Sequence, residues 1–250
     1  MKRFYKEVSV IPSPERGGSE ALASGEGSVL HRWAIYQILL DSRPIKTPKR
    51  APLALPSQAL AEAVATEWRN QGEEVKPRSM HLTKLANTAI DRVAGREAET
   101  VEKIVAYSND LLCYRAQAPE ELAARQAAAW DPLLAWAAER YGVRFHTGSG
   151  LAYIAQPPET LAALRQALAA LDAFRLTALA NAAPILGSVV LTLALAEARL
   201  EPETAFAVSQ LDERYQAEKW GEDPEAAARA QALATELSAA ARFFHLLSSP

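Results

Sequence analysis

A long apolar stretch in the C-terminal half constrains the fold more than any other feature of the chain. Residues 189–195 read VVLTLAL, and no charged residue occurs from Leu176 to Ala196. A helix with this sequence has no polar face, so it must be buried against other elements. The sequence therefore predicts a buried helix over 186–199.

The same stretch raises a membrane span as an alternative. About 20 apolar residues can cross a bilayer, but this run also contains Asn181, Pro184, Gly187 and several alanines. Pro184 and Gly187 divide it into two shorter pieces, which is typical of a bend between two core helices. We expect no stable membrane insertion. A membrane-attached assembly factor that uses residues 176–196 is the alternative.

A second helix is predicted directly after the first, over 202–220. Pro202 suits a first helical position because its missing N–H would have no partner there, and Gly221 suits a left-handed C-terminal cap. At 100° per residue, Val208, Leu211 and Tyr215 share one face. A second stripe, rotated by about a quarter to a third of a turn, contains Phe206, Ser209, Glu213, Gln216 and Trp220.

The residues alone leave two interpretations of this second stripe. It could be a solvated face on which the two aromatic rings are partly covered. Alternatively it binds a partner protein, with Trp220 as an aromatic anchor and Glu213 as a charge that sets specificity. Asp212 and Glu213 point about 100° apart on a helix, so they do not form a catalytic pair.

Length and composition exclude several classes of protein. The chain of 250 residues can form one large domain or two modest ones. Its formal net charge of -3 argues against a general nucleic-acid-binding protein. The single cysteine, Cys113, excludes an intramolecular disulfide, and its apolar neighbours predict a buried, inert thiol. The N-terminal residues resemble neither a signal peptide nor a transit peptide, so we expect a bacterial cytoplasmic protein.

The composition changes near residue 117, where alanine becomes dominant and strand patterns end. We therefore expect an α+β N-terminal domain over 1–117 and an all-helical C-terminal domain over 118–250. The strand WAIYQILL at 33–40 belongs to the first domain. Residues 12–28, which are rich in Gly, Ser, Pro and Glu, predict a mobile loop within it.

Aspartate-proline pairs predict boundaries of the later helices. Asp131-Pro132 and Asp223-Pro224 each place a capping carboxylate before a proline that suits the first helical position. We therefore expect separate helices over 119–129 and 132–141, and a last helix over 224–247.

No motif for catalysis or cofactor binding is present. The sequence contains no G-x-x-x-x-G-K-[ST], G-x-G-x-x-G or G-x-S-x-G pattern. The histidines, His31, His81, His146 and His245, have no carboxylate or cysteine at ligand spacing. We expect no metal, no cofactor and no enzymatic activity. An enzyme that uses His81 or the basic turn at 43–50 is the alternative, although that turn has no interleaved aromatic residues and is typical of a solvated hairpin tip.

Several stretches, taken in order along the chain, resemble one known family. They are LLDSRPIKTP at 39–48, ATEWRNQ at 65–71, Met80 with Thr83, SNDLLCY at 108–114, Trp130-Asp131-Pro132 and LDERYQAEKWGED at 211–223. They look like the assembly chaperone for the α subunit of the ATP synthase catalytic head, found in mitochondria and alphaproteobacteria. No single stretch is catalytic, and the resemblance depends on their order and spacing over nearly the whole chain.

The resemblance implies a monomeric binding protein without chemistry. Such a chaperone would bind the free α subunit, shield the surface that later meets the β subunit, and release it as the hexameric head assembles. An orphan subunit exposes a large interface and is prone to aggregate. The resemblance also implies that an acidic residue of the C-terminal motif is important: Glu213 is the matching position, with Asp212 one residue away. The other contacts would come from Phe206, Tyr215, Gln216 and Trp220.

Overall fold

A computed structural model describes residues 2–13, 35–150 and 152–247 of the chain. The chain forms two compact units: Met1–Asp91 together with His245–Pro250, and Arg92–Phe244. The change in composition near residue 117 predicts a boundary between two separately folding domains, and this boundary stays a prediction. Residues 14–28 of the predicted mobile loop lie outside the described residues, and Pro12 ends a strand.

The first unit contains a small antiparallel sheet. Its strands are β1 (Val8–Pro12), β2 (Tyr36–Leu40), β3 (Arg43–Pro44) and β4 (Ala54–Leu55). β2 lies in the middle, because β1 pairs with one of its edges and both short strands pair with the other. The strand predicted over 33–40 is therefore found over its described part.

A tight turn between β2 and β3 fixes one corner of this sheet. Asp41 and Ser42 have positive φ angles of 47° and 67°, as a two-residue hairpin turn requires. The Asp41 carboxylate accepts hydrogen bonds from the backbone N–H groups of Lys6 and Glu7 at 3.0 and 2.9 Å. These bonds hold the pKa of Asp41 below its usual range and tie the turn to the chain that enters β1.

Two helices of the first unit follow the sheet: α1 (Gln58–Arg69) and α2 (His81–Thr88). A 3₁₀ turn at Pro77–Ser79 precedes α2, and a π-helical turn at Ala89–Val93 continues it. Ser57 caps α1 by accepting the N–H of Leu60 at 3.1 Å.

The described residues of the second unit form helices and one two-residue parallel pairing, β5 (Tyr114–Arg115) with β6 (Gly148–Ser149). Its helices are α3 (Glu97–Val105), α4 (Glu120–Tyr141), α5 (Pro158–Ala169), α6 (Ala173–Leu186), α7 (Val189–Ala196), α8 (Pro202–Ser209), α9 (Leu211–Trp220) and α10 (Pro224–Leu246), with 3₁₀ turns at Ala106–Ser108 and Leu111–Cys113. The prediction of a sheet with helices followed by a helical region is confirmed.

The core of the second unit surrounds α7. Every residue from Val189 to Leu195 is at most 4% exposed, which confirms the buried helix expected from its apolar sequence. The helix is shorter than predicted, because Ser188 caps its start by accepting the N–H of Leu191. Gly187 alone makes the bend, at a left-handed φ of 60°, whereas Pro184 lies inside α6.

Two predicted helix boundaries are wrong. α4 continues through Pro132 without a break, and the burial of Trp130 and Leu133 on either side of that proline favours one continuous helix. Conversely, the helix predicted over 202–220 is interrupted at Gln210, whose ψ angle of 24° departs from helical geometry. The interruption rotates α9 away from the register that a continuous helix would have.

Candidate partner-binding surface

A buried polar contact fixes α9 to α4. Gln126 is fully buried, and its Nε2 donates to Oδ1 of Asp212 at 2.7 Å. Its Oε1 accepts the backbone N–H of Ala116 at 2.7 Å. Nearby, the indole Nε1 of Trp130 donates to the carbonyl of Val208 at 3.1 Å. Because buried polar groups are costly when unpaired, these bonds determine where α9 and the preceding α8 lie.

A network of charges surrounds the same contact. The hydroxyl of the buried Tyr215 and the ammonium of Lys219 both donate to Oε2 of Glu121, at 3.2 and 2.9 Å. Arg125 donates to Glu121 and to Glu218 at 2.8 and 2.7 Å. The bond from Lys219 holds the pKa of Glu121 below its usual range. Each exposed ion pair contributes little, but together they fix the rotation of α9 about its axis.

The opposite face of α9 is exposed. Glu213, Gln216 and Trp220 lie within a sector of about 60°, since successive residues are 100° apart, and all three are exposed. Trp220 is 79% exposed, the largest value among the large hydrophobic side chains of the described residues. Within that part of the chain, no side chain forms a hydrogen bond or an ion pair with the Glu213 carboxylate. We call Glu213, Gln216 and Trp220 the outer face of α9.

The structure separates the remaining residues of the predicted stripe from this outer face. Ser209 is buried, and its Oγ donates to the carbonyl of Phe206, so its assignment to an accessible stripe is wrong. The interruption at Gln210 explains the difference, because it breaks the 100° progression. Asp212 is half-buried and bonded to Gln126, in contrast to its neighbour Glu213.

Phe206 lies at a groove rather than on the outer face. It is half-buried and packs against the hydrophobic core of the second unit. It lines a cavity of about 490 Å³ between α8 and α10, together with Pro202, Glu222 and small side chains such as Ala230 and Ala234. Glu222 follows Trp220 by two residues, so the groove begins where α9 ends.

Sequence reasoning missed Gln126, although the sequence contains a signal for it. The buried side chains of α4 are Leu122, Gln126, Trp130, Leu133 and Ala137, a helical spacing that a periodicity analysis identifies as one face. A glutamine in the middle of such a face requires hydrogen-bond partners. The partner on α9 could not be named from the sequence, since it is 86 residues away.

Other features bear on the alternative functions. In the described part of the chain, no group of three His, Cys, Asp or Glu side chains could hold a metal ion. Over these same residues, no helix is both long enough and apolar enough to cross a membrane. Most of the apolar residues at 176–196 instead form part of the hydrophobic core of the second unit. Cys113 is fully buried as predicted, and burial raises the pKa of its thiol to about 12.

Comparisons with known proteins agree with one another. Residues 2–138 match the family model described as ATP12 chaperone protein. The chain is 27% identical over 197 residues to the mitochondrial protein atp12 of Schizosaccharomyces pombe, covering 74% of this chain and 68% of that protein.

Solved structures are similar over nearly the whole chain. The crystal structure of Atp12 from Paracoccus denitrificans has a TM-score of 0.87 and 38% identity, over 98% of each chain. The Atu1473 protein of Agrobacterium tumefaciens has a TM-score of 0.87 and 40% identity, over 98% of this chain and 86% of that one. A point mutant of the Paracoccus protein also has a TM-score of 0.87.

Proposed function

The chain belongs to the ATP12 chaperone family of non-enzymatic ATP synthase assembly factors, and we propose that it binds the free α subunit of the F-type catalytic head. In this proposal the chaperone shields the α-subunit surface that later meets the β subunit, and releases it as the hexameric head forms. It acts as a monomer in the bacterial cytoplasm. The observation that carries the proposal is the outer face of α9.

The chemistry of the outer face suits a transient protein contact. Trp220 offers a large, rigid apolar surface, and tryptophan is enriched among the residues that dominate binding energy. Glu213 is free to accept hydrogen bonds from a cationic or amide group of a client. Exposed charges of this kind set orientation and association rate more than affinity. A contact built in this way can be displaced by the more extensive surface of the β subunit.

Two of the three remaining predicted residues, Asp212 and Phe206, have supporting roles in this proposal, and the third, Tyr215, is buried. Asp212 is a positioning residue, because its hydrogen bond with Gln126 fixes the helix that presents the outer face. Phe206 extends the contact through the groove that it shares with Glu222. The groove adds apolar area next to the end of α9, where Trp220 lies.

Co-purification tests the proposal directly. The tagged chain is expressed with the ATP synthase α subunit alone, and β subunit is then added to the captured complex. We expect soluble α subunit to be captured in a one-to-one complex and then displaced by β. If α subunit aggregates as it does without the chaperone and none is captured, the proposal is wrong.

A charge reversal at Glu213 tests the surface itself. Glu213→Lys places a like charge opposite any cationic group of the client, and we expect capture of the α subunit to fail. The fold should be retained, because Glu213 is exposed and its favourable effect in the first turn of α9 is worth only about 0.3–1 kcal/mol. Unchanged helical circular dichroism together with lost capture is the expected result.

Glu139→Lys is the matched control for this variant. Glu139 is exposed on α4, and it lies about 20 Å along that helix from Gln126 at 1.5 Å per residue. The substitution makes the same change in net charge, so it should leave capture intact. If Glu213→Lys loses its helical signal, or if both variants lose capture equally, the assignment of the outer face is refuted.

A further inference from the structure

A cavity of about 530 Å³ lies on the first unit, beside the turn between β2 and β3. Its apolar lining comes from three separate segments of the chain and comprises Phe4, Tyr5, Leu40, Pro44, Ile45 and Trp68. Phe4 is 64% exposed and packs edge-to-face on Tyr5, which packs in the same way on Trp68. Three aromatic rings thus meet at a concave, accessible site.

The walls of this cavity are preformed. The Tyr5 hydroxyl donates to the carbonyl of Trp68 at 2.7 Å. Arg3 lies over the Tyr5 ring at 4.6 Å and donates to the carbonyl of Gln71 at 2.5 Å. The Asp41 carboxylate is engaged by backbone N–H groups. A ligand therefore meets a fixed surface, which reduces the entropy lost on binding.

The rim of the cavity carries two exposed cations. Arg43 and Lys46 both line it, and both are exposed. Among the described residues, no carboxylate forms an ion pair with either side chain. Asp41 is the acidic residue of the lining, so the two cations leave the cavity with a positive local charge. The whole chain, by contrast, has a net charge of -3.

We propose that this cavity is a docking site for an extended segment of a partner protein that carries an apolar side chain next to a carboxylate. The apolar side chain enters between Phe4 and Ile45, and the carboxylate pairs with Arg43 or Lys46. The volume lies in the range of pockets that bury a small ligand. A nucleic acid is disfavoured, because Phe4 is the one exposed aromatic ring of the lining. Tyr5 is only 5% exposed and Trp68 is half-buried, so successive bases find no second open ring on which to stack.

Nuclear magnetic resonance of the full chain tests the site with a defined probe. The peptide acetyl-GDLFEG-amide is titrated to millimolar concentration, and acetyl-GKLFKG-amide is the matched peptide of opposite charge. We expect the acidic peptide to shift the indole N–H signal of Trp68 and the amide signals of Tyr5, Ile45 and Lys46. The basic peptide should leave these signals unchanged. The test involves no α subunit, so its outcome is independent of the function proposed above.

Two Arg→Glu variants test whether the acidic peptide is recognised at the cavity or is attracted by the net charge of the chain. Arg43→Glu should weaken binding of the acidic peptide by about tenfold or more, since like charges then face each other. Arg50→Glu makes the same change in net charge on an exposed residue of the neighbouring turn that does not line the cavity, and it should have little effect. Near-ultraviolet circular dichroism of both variants should match that of the parent chain.

Three results would overturn the proposal. The first is the absence of shifts at the cavity with the acidic peptide. The second is an equal response to the basic peptide, which would indicate apolar adsorption without charge recognition. The third is a stronger response at the same signals to single-stranded oligothymidylate, which would assign the cavity to nucleic acid.

Discussion

Asp110 carries a carboxyl group that is fully buried where α7 begins. Its Oδ2 accepts hydrogen bonds from the Ser188 hydroxyl at 2.9 Å and from the N–H of Val190 at 3.0 Å. Its Oδ1 accepts the N–H of Leu112 at 3.0 Å. All three donors are neutral groups. Desolvation therefore outweighs these bonds, and burial raises the pKa of Asp110 from 3.8 to about 6.

This pKa makes Asp110 an acid that opposes folding at neutral pH. In the unfolded chain it loses its proton near pH 3.8, whereas in the folded chain it keeps the proton until about pH 6. Between these values only the folded state binds the proton, so raising the pH favours unfolding. At about 1.4 kcal/mol per pH unit, the free energy of unfolding should fall by about 3 kcal/mol as the pH passes through this window.

Urea unfolding of the parent chain and of Asp110→Asn, measured at each pH from about 4 to about 7, isolates this effect. Asparagine cannot titrate. Its amide N–H group faces a backbone N–H donor, however, so the substitution lowers the free energy of unfolding by about 1–3 kcal/mol at every pH. The difference in unfolding free energy between the two chains cancels the other titrating groups. We expect the advantage of the parent chain to shrink by about 2 kcal/mol across the series, because part of the total loss occurs below about pH 4.

An advantage that stays constant or grows with pH would refute the reasoning. Direct titration of the Asp110 carboxyl carbon in the parent chain provides a second measurement that does not depend on the variant folding. A midpoint near 6 is expected. A midpoint near 3.8 would show that the hydrogen bonds balance desolvation, and it would contradict the prediction.

Two further predictions concern single carboxylates that hold helices in place. Asp212→Ala leaves Nε2 of the buried Gln126 without its acceptor, so we expect urea unfolding to show a free energy of unfolding lower by about 1–3 kcal/mol. Asp212→Asn keeps an acceptor oxygen, so it should lower the free energy of unfolding by less. Glu67 accepts the hydroxyl and the N–H of Thr83 at the start of α2; Glu67→Ala should likewise destabilise by about 1–3 kcal/mol, and Glu73→Ala, at an exposed position, should change stability by less than about 0.5 kcal/mol.

The elements that the sequence predicts correctly are those specified by local patterns. α7 is buried because no rotation of its sequence offers a polar face. Pro202 and Pro224 begin helices, a position that suits their fixed φ angle and their missing N–H. Steps of 100° per residue place Tyr215 and Trp220 on different sides of α9, although Tyr215 is buried and is not available for the partner contact expected of it. Each of these predictions needed only residues within about two turns of one another.

The elements that the sequence does not predict depend on distant neighbours. Asp212 and Glu213 are adjacent carboxylates, and only the position of Gln126 on α4 decides which of them is engaged. The aromatic residues absent from the basic turn at 43–50 are supplied by Phe4, Tyr5 and Trp68 from other segments. Such groupings result from tertiary packing, which a linear pattern does not encode.

The stretches that carry the family resemblance mostly contain residues that hold the fold. Asp41 binds the chain entering β1, Glu67 caps α2, and Asp110 caps α7. In the stretch at 211–223, four residues are similarly engaged with α4: Asp212, Tyr215, Glu218 and Lys219.

The outer face of α9 differs from these residues, because no contact within the described chain accounts for it. A tryptophan that is 79% exposed contributes little to folding and exposes apolar surface to water. A lysine or glutamate at position 220 would suit the end of an isolated exposed helix at least as well. The aromatic residue is therefore best explained by a surface outside this chain. The inner side of α9 supplies the rigid support that such a contact requires.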